Sequence, residues 1–383
     1  MKIGIDIRNI GKKRTGDEVV FFNLVKNLAV IDGENEYYLF TDIQEEAVLE
    51  EIKGRLKILG KKNFSVISLK TGNKFIWNIW ALPKYLRKFP VDIYQTQYIV
   101  PFFMPKKTKI ITIIHDISFN FFPHLIKFTD LIFLKLLIPV SLKKADKIIA
   151  VSQFTKDEII KYYRIKPEKI EWIHNAIGDE FLGREYSPKE LKETRKKYNL
   201  PEKFILYLGT MQPRKNLPFL IEAYARIKKR LGGVKLVLVG SKNSNNFDQG
   251  IYKMIDKLSV NKDVIFPGFI EEDDKVKIYK LADIFVFPSL YEGFGIPVLE
   301  AMSQGVPVIV ADIPCIREVA REAAVYFNPR ILANLEEKLY TVFIQKDVRE
   351  KFIQLGFKRI QFFSWRKTAE KMLIIYNNII NFK

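Results

Sequence analysis

The segment that most constrains the fold of this 383-residue chain begins with an apolar run over residues 284–287. This run ends at a proline and is typical of a buried strand. Two glycines, Gly293 and Gly295, follow in a predicted loop, and Pro297 is predicted to be the first residue of a helix. A second apolar run over 306–311 predicts another strand. Strand, glycine-containing loop, helix and strand together indicate an α/β sheet, in which the loop presents free N–H groups at a helix N-terminus to an anion such as a diphosphate.

Two carboxylates bracket this loop. Glu292 precedes it, and Glu300 is predicted to lie in the first turn of the helix. A single acid near a helix N-terminus usually complements the helix dipole, and that interpretation of Glu300 stays open. Because Glu292 lies outside the helix, the pair is predicted to flank one phosphate-sized opening and to accept hydrogen bonds from sugar or ribose hydroxyls.

Composition excludes several classes of protein. The single cysteine, Cys315, rules out a disulfide framework and a cysteine-built zinc site and agrees with a reducing compartment. Residues 1–7 have too short an apolar run for a signal peptide and predict a strand. The most apolar long window, 131–142, is interrupted by Lys135 and Pro139 and is too short to span a membrane. The sequence therefore predicts a cytoplasmic protein.

The net charge of the chain is +19, and its positive residues are densest in 53–109, which contains 13 Lys or Arg and one acidic residue, Asp92. Aromatic and apolar residues are interleaved with these cations. Such a mixture fits a surface resting on anionic lipid, but it also fits nucleic acid or ordinary solvated helix faces. The interleaved residues are Phe75, Trp77, Trp80, Leu82, Tyr85, Leu86 and Phe89.

In the first half of the chain, apolar runs alternate with helical patterns, which predicts a parallel sheet covered on both faces. A loop over 8–18, containing Gly16, joins the first strand to the first helix, at the usual phosphate-approach point of such a sheet. His115 and Asp116 end the strand predicted over 109–114, where ligands bind in these folds, so His115 is predicted to be functional. The other predicted strands are 2–7, 37–40, 64–68 and 93–95.

The second half opens with the same order of strand, loop and helix. Gly209 ends the strand, and Arg214 and Lys215 place two cations at the predicted helix start, where the dipole disfavours them. Cations in that position suit a bound anion, so we expect alanine at both positions to cost turnover far more than stability. The acidic run 271–274 predicts helix-dipole partners and caps rather than a metal site.

The pattern Pro-Ser-x-x-Glu-Gly-Phe-Gly-x-Pro-x-x-Glu-Ala-Met, which starts at Pro288, resembles the signature of retaining glycosyltransferases of the glycosyltransferase family 4 type. The resemblance covers nearly the whole chain and is strongest over 204–329. It implies the GT-B fold, an α/β architecture of two doubly wound Rossmann-like domains facing across a cleft. The N-terminal, acceptor-binding domain would be residues 1–180 completed by the helix 364–383, and the nucleotide-sugar domain would be 181–363.

The resemblance also implies roles for individual residues. Arg214 and Lys215 would neutralise the departing diphosphate, Glu292 would bind sugar hydroxyls, Glu300 the ribose, and His115 the sugar near its 6-position. The catalytic set is then His115, Glu292, Arg214 and Lys215, with no metal and no cofactor beyond the nucleotide-diphosphate sugar. Further donor-binding residues would be Gly16, Gly209, Asn216, Gly293, Phe294, Gly295 and Ile296.

The implied reaction is transfer of a hexose, from a donor of the GDP-mannose or UDP-hexose type, to a saccharide or lipid-linked acceptor in cell-envelope polysaccharide synthesis. The partners would be these substrates and an anionic membrane surface contacted through residues 53–109, at the inner face of the membrane, with no nucleic acid expected. Two alternatives remain at this stage: another GT-B enzyme, such as a phosphorylase or an epimerase, and a protein that binds anionic polymers or membrane surfaces without catalysis.

Overall fold

The structure is a computed structural model that describes residues 1–11, 16–241 and 246–381. The chain divides into two compact units. The first contains residues 1–117, 129–176 and the C-terminal segment from Ser364, and the second contains 118–128 and 177–363. The first unit is therefore built from segments at both ends of the sequence.

Each unit contains one parallel sheet. Within the described residues, the first sheet has seven strands in the order β3-β2-β1-β4-β5-β6-β7, and the second has six in the order β10-β9-β8-β11-β12-β13. The strands are β1 (Lys2–Asp6), β2 (Glu36–Thr41), β3 (Phe64–Ser68), β4 (Ile93–Gln97), β5 (Lys109–Ile114), β6 (Lys147–Ala150), β7 (Ile170–Trp172), β8 (Phe204–Leu208), β9 (Lys235–Val239), β10 (Val264–Ile265), β11 (Ile284–Phe287), β12 (Val308–Ala311) and β13 (Val325–Phe327).

The helices connect successive strands and cover the sheets. They are α1 (Gly16–Ile31), α2 (Glu46–Arg55), α3 (Lys74–Ile76), α4 (Leu82–Lys88), α5 (Phe128–Lys144), α6 (Gln153–Tyr163), α7 (Pro188–Lys197), α8 (Leu217–Ile227), α9 (Gly250–Lys257), α10 (Glu272–Leu281), α11 (Ile296–Ser303), α12 (Pro314–Ala320), α13 (Leu332–Ile344), α14 (Lys346–Ile360) and α15 (Trp365–Asn381). A π-helical turn over Trp77–Ala81 lies between α3 and α4.

The strands form because their apolar side chains are buried on both faces, as parallel sheets require. Every residue of β8, β11 and β12 is buried. The strands predicted over 64–68, 109–114 and 284–287 are confirmed at those bounds.

Strand order places the loops that matter for function. In the second unit, β8 pairs with β9 on one side and with β11 on the other. In the first unit, β1 pairs in the same way with β2 and β4. Strand order reverses at these points, and ligands bind there at the carboxyl ends of the strands. The loop after β8 and the loop after β11 are therefore neighbours in space, although more than 70 residues separate them in sequence.

The final helix, α15, belongs to the first unit and supplies part of its core. Trp365 and Tyr376 are almost completely buried, and the Tyr376 hydroxyl donates a hydrogen bond to the Gln95 side chain of β4. The Thr368 hydroxyl donates to the His174 carbonyl at 2.8 Å, which fixes the start of the helix against β7.

Two local predictions in the second unit are wrong. Helix α11 begins at Ile296, so Pro297 is its second residue and Glu300 its fifth rather than part of the first turn. The following strand begins at 308 because Val306 still donates its N–H to the Ala301 carbonyl at 3.1 Å and so completes the end of the helix.

The acidic run 271–274 is only partly a capping sequence. Glu271 occupies the N-cap position of α10 without a side-chain cap hydrogen bond. Asp274 is buried and accepts hydrogen bonds from Lys197 at 2.7 Å and from the Tyr198 hydroxyl at 2.9 Å. Burial alone would raise the pKa of Asp274, but these hydrogen bonds and Lys277 lower it to about 2. The run therefore attaches α10 to α7.

Across the described residues, no helix has the length and hydropathy that a membrane span requires. The same residues bring together no group of three or more His, Cys, Asp or Glu side chains suited to a metal ion.

Candidate active site

The loop after β8 places two cations directly before α8. Pro213–Lys215 form a short 3-10 turn, and Asn216 adopts a left-handed conformation (φ 58°, ψ 36°) at the N-cap of the helix. The Arg214 carbonyl accepts a hydrogen bond from the N–H of Leu290 at 2.9 Å, which ties this loop to the loop after β11. Backbone geometry on both loops therefore fixes where the two cations lie.

Glu292, in the loop after β11, is the counterion of both Arg214 and Lys215. Arg214 Nη1 lies 3.0 Å from Glu292 Oε2, and Lys215 Nζ donates a hydrogen bond to Glu292 Oε1. Arg214 Nη1 also donates to the Tyr291 carbonyl at 2.9 Å. The side chains of Lys215 and Glu292 are each 9% exposed, whereas that of Arg214 is 22% exposed. Three residues predicted separately from sequence thus form one buried ion-pair cluster, a pairing that sequence reasoning missed.

The electrostatics of this cluster favour an anionic ligand. Burial by itself would raise the pKa of the Glu292 carboxyl, but attraction to Arg214 and Lys215 lowers it to about 2. Glu292 is therefore ionised at neutral pH and offsets one of the two cations. The cluster retains a formal charge of +1 beside the N-terminal end of α11, an arrangement suited to phosphate oxygens.

The same geometry changes what an alanine substitution would report. Replacing Arg214 and Lys215 would leave the Glu292 carboxylate buried without its counterions, which costs stability. A double alanine variant of Arg214 and Lys215 would therefore lose stability as well as turnover. To separate these two losses, Glu292 must also be replaced by a neutral residue.

Gly295, in the 293–296 segment, stands at a position that favours glycine. It occupies the N-cap of α11 with φ +102°, and a Cβ there would lie 2.6 Å from Ile316 Cδ1. The preceding residue, Phe294, accepts a hydrogen bond through its carbonyl from Cys315 Sγ at 3.2 Å. Cys315 is buried, which fits a structural role rather than that of a reactive thiol.

Glu300 has its own partners on α10. Its Oε1 lies 2.6 Å from Lys275 Nζ, and its Oε2 accepts a hydrogen bond from the Tyr279 hydroxyl at 2.8 Å. Burial raises the pKa of Tyr279 well above its usual value, and the Glu300 charge raises it further. Glu292 and Glu300 are thus held by different sets of side chains. Lys275 and Tyr279 lie four residues apart on one helical face, but nothing in the sequence indicates which helix that face contacts.

At Gly209, the backbones of two loops approach each other closely. A Cβ built on Gly240, after β9, would lie 2.1 Å from the Gly209 carbonyl oxygen. The N–H of Gly209 donates to the Val239 carbonyl at 3.0 Å. Gly240, which the sequence analysis did not single out, is therefore the position where any side chain would push the two loops apart.

In the first unit, His115 follows β5 and is 9% exposed. Its Nε2 lies 3.1 Å from Gln97 Oε1, at the end of β4, and 3.8 Å from Asp17 Oδ1, in the first turn of α1. Gly16 is the first residue of α1 rather than part of the loop predicted over 8–18, and Asp17 follows it, so the structure brings the predicted histidine and the predicted glycine to the same edge of this sheet. Apart from the neighbouring residues and the backbone of α1 itself, no described atom lies within 4 Å of where a Cβ on Gly16 would stand. Residues 12–15 of the predicted loop lie outside the described residues.

Tyr98 holds the backbone around His115. It adopts a left-handed conformation (φ 55°), which is rare for a bulky residue and stores backbone strain. Its hydroxyl accepts a hydrogen bond from the N–H of Asp116 at 3.3 Å, and its ring centroid lies 5.5 Å from that of His115. Sequence reasoning missed Gln97 and Tyr98, because their relevance depends on β4 being the neighbour of β5.

Comparison with known proteins agrees with this architecture. The sequence profile of the family described as Glycosyltransferase Family 4 matches residues 15–181, and that of Glycosyl transferases group 1 matches residues 189–359. The glycosyltransferase of Rickettsia africae ESF-5 superposes with a TM-score of 0.76 at 20% identity, covering 100% of this chain and 99% of that one.

Two curated proteins of Escherichia coli are similar in sequence. The serotype-specific mannosyltransferase WbdA is 31% identical over 59% of this chain and 28% of its own length. The O-antigen chain mannosyltransferase B is 28% identical over 72% of each chain. The chain thus matches less than a third of WbdA.

The two family profiles together account for most of the sequence, and each is matched mainly by one of the two parallel-sheet units. Because both describe glycosyltransferases and the whole chain shares its fold with a glycosyltransferase, this protein belongs to the GT-B-fold glycosyltransferases.

Proposed function

We propose that this protein transfers a hexose from a nucleotide-diphosphate sugar to a hydroxyl of a saccharide or lipid-linked glycan, with retention of configuration at the anomeric carbon. The observation that carries this proposal is the buried cluster of Arg214, Lys215 and Glu292, at the point in the second sheet where strand order reverses. A diphosphate bound there would meet two cations and the N-terminal end of α11.

In the proposed step, the bond between the anomeric carbon and the diphosphate oxygen breaks, and a bond to the acceptor oxygen forms on the same face of the sugar. The acceptor hydroxyl gives its proton to the departing phosphate oxygen. Arg214 and Lys215 offset the negative charge that grows on the diphosphate, and groups fixed in place before the reaction do this most effectively. Glu292 holds both cations in position, as their ion pairs with it indicate.

Other residues would bind the rest of the donor. Glu300 would accept hydrogen bonds from the ribose, since each of its oxygens has one protein donor and a carboxylate oxygen can accept more than one. His115 would contact the sugar near its 6-position. Gly16, Gly209, Asn216 and the segment 293–296 would line the diphosphate. The proposal uses no metal and no further cofactor.

The names of the similar proteins support a choice of substrate. Both Escherichia coli relatives are mannosyltransferases, and one is named for the O-antigen chain. We therefore propose mannose from GDP-mannose, ahead of a UDP-hexose, and an acceptor in cell-envelope polysaccharide synthesis, with the reaction in the cytoplasm.

The first test measures the thermal unfolding temperature of the protein, with EDTA present, in separate solutions of GDP-mannose, UDP-glucose, UDP-galactose and ADP-glucose. A donor at 100 times its Kd stabilises the native state by about 2.7 kcal/mol, a shift of roughly 5–10 °C for a unit of this size. Lys215→Met/Glu292→Gln should abolish the shift. Lys192→Met, which changes an exposed lysine of α7, is the matched control and should keep it.

The effective donor is then incubated with saccharide acceptors, and the new linkage is assigned by NMR. An inverted anomer would refute the retaining step. Release of free nucleotide that never requires an acceptor would instead indicate an epimerase. Absence of any donor shift and of any transfer would contradict the proposed site.

A further inference from the structure

The first unit carries an exposed apolar surface edged with cations, which the proposed reaction does not use. Part of it lies on the segment from α3 to α4. Phe75 is 48% exposed and Trp80 is 59% exposed, and Ile79 between them is also exposed. The second part lies on α5, where Ile132, Leu136 and Val140 are exposed at intervals of four residues, the spacing of one helical face. We call these six side chains the apolar surface.

Contacts within the first unit join the two parts. The rings of Phe75 and Phe133 meet edge to face, with centroids 5.3 Å apart, and so connect α3 to α5. Lys144, at the end of α5, donates to the Phe102 carbonyl at 3.2 Å, and Phe102 donates its N–H to the Asn78 carbonyl at 3.0 Å. The apolar side chains therefore stand on one connected framework rather than on separate loops.

The π-helical turn explains how one segment serves both core and surface. Trp77 is fully buried beneath the Arg8 guanidinium, which lies 4.3 Å from its ring centroid, whereas Trp80 points outward. In an α-helix, residues three apart share a face. The wider π turn rotates Trp80 away from the face of Trp77. Trp77 is therefore buried in the core, and Trp80 lies on the surface.

Cations surround these rings. Lys84 Nζ lies 4.4 Å from the Trp80 ring centroid, and Lys88 Nζ lies 5.3 Å from that of Phe89. Arg87 donates to the carbonyl of Phe103, an aromatic residue that is 57% exposed. Further exposed lysines, Lys106, Lys107, Lys135 and Lys143, lie in the stretch of chain from α3 to the end of α5, in which the exposed acids are Asp92 and Asp130.

From this geometry we infer that the apolar surface docks on an anionic lipid bilayer. The cations are attracted to lipid phosphates, while Trp80, Phe75 and the aliphatic side chains of α5 enter the headgroup and acyl boundary. A nucleic acid would use the cations and rings but would leave the Ile132–Leu136–Val140 stripe in water. A second copy of the chain would bring one set of cations against another. Lipid is the partner that satisfies both the charge and the aliphatic stripe.

The test is sedimentation of the full chain with vesicles of phosphatidylcholine and phosphatidylglycerol in a 7:3 ratio, beside vesicles of phosphatidylcholine alone. We expect binding to the anionic vesicles that weakens as salt rises. Lys84→Gln/Arg87→Gln/Lys88→Gln should lower the partition coefficient on the order of a hundredfold, at about fivefold for each charge. Trp80→Ser/Leu136→Ser should lower it by roughly tenfold or more while the dependence on salt remains.

Matched controls come from the second unit. Phe269→Ser removes an apolar side chain that is 88% exposed, and Lys192→Gln/Lys196→Gln removes exposed cations from α7. Both should bind vesicles like the unsubstituted protein. Equal losses in the controls, or no binding to anionic vesicles, would overturn the inference. So would binding to single-stranded RNA with the same dependence on these residues, or a salt-sensitive dimer in light scattering that the Trp80 variant abolishes.

This inference does not rest on the proposed reaction. Transfer to a water-soluble acceptor should be unchanged in the surface variants, because none of these residues is among the catalytic and donor-binding residues named above. Loss of vesicle binding with intact soluble transfer would support the docking surface. Absence of transfer with intact vesicle binding would count only against the proposed reaction.

Discussion

Lys215→Met isolates the energetic role of the buried cluster. The side chains of Lys215 and Glu292 are each 9% exposed, so water screens their attraction weakly. Glu292 has its pKa lowered from 4.5 to about 2 in the folded protein. At about 1.36 kcal/mol per pKa unit, the surroundings of Glu292 in the folded protein, with the cost of burial included, favour its ionised form by about 3 kcal/mol more than the unfolded chain does.

Removing one counterion leaves Glu292 with Arg214 alone. Breaking a buried pair costs about 3–5 kcal/mol, and the remaining guanidinium places this site at the low end of that range. We therefore expect Lys215→Met to lower the free energy of unfolding at pH 7 by about 3 kcal/mol. For a unit of this size, that loss lowers Tm by roughly 6–12 °C.

The double variant Lys215→Met/Glu292→Gln removes the buried charge together with one of its two partners. It should unfold within about 1 kcal/mol of the unsubstituted protein, because a neutral amide no longer needs that lysine. The coupling energy from the complete double-mutant cycle should therefore be about 2 kcal/mol or more. The same double variant should neither bind nor turn over the donor although it stays folded, so its loss of function would not be a consequence of lost stability.

Urea unfolding followed by circular dichroism gives the four free energies, and the donor panel gives the functional result. If Lys215→Met unfolds within 0.5 kcal/mol of the unsubstituted protein, roughly the limit of resolvable coupling, the argument from the buried pair is refuted. If the double variant is stable and keeps normal turnover, Lys215 has no part in neutralising the diphosphate.

Three further predictions follow from geometry already described. Because the pKa of Glu292 is lower in the folded than in the unfolded protein, its ionised form contributes fully to the free energy of unfolding above about pH 4.5, and this contribution is lost as pH falls through about 2. In acid titrations followed by fluorescence, Glu292→Gln should therefore lose stability less steeply than the unsubstituted protein. Gly295→Ala should lower the free energy of unfolding by about 1–3 kcal/mol, since φ is +102° and a Cβ would clash. The matched control Gly16→Ala should change it by under about 0.5 kcal/mol in the same thermal unfolding experiment. Equal effects of the two substitutions would contradict the argument from backbone strain. Gln97→Met removes the acceptor beside His115 Nε2 and should lower kcat by roughly tenfold with Tm nearly unchanged; an unaltered kcat would show that Gln97 does not position the histidine.

Sequence reasoning succeeded where local signals suffice. The apolar run 284–287 becomes a fully buried strand because a parallel sheet buries both faces. The family pattern starting at Pro288 also led to the correct fold class, two parallel-sheet α/β units.

Sequence reasoning failed where the outcome depends on which elements become neighbours. Glu292 pairs with Arg214 and Lys215 because β11 lies beside β8, and Gln97 reaches His115 because β4 lies beside β5. No local pattern encodes that order. The predicted position of Glu300 was wrong for a smaller reason: the helix is capped by Gly295, whose left-handed backbone sets the first helical residue, and Pro297 alone gives the start only to within a residue or two.

The return of α15 to the first unit has a consequence for biosynthesis. Domains generally fold as units while the chain emerges from the ribosome, earlier ones first. Here the second unit is complete once Phe363 has been made, but the first still lacks Trp365 and Tyr376, which fill its core. The first unit, including β1 and α1, therefore cannot complete its core until α15 has been synthesised. A ribosome that stalls late in the message would release a chain whose second unit is folded and whose first unit is left open to proteolysis and aggregation.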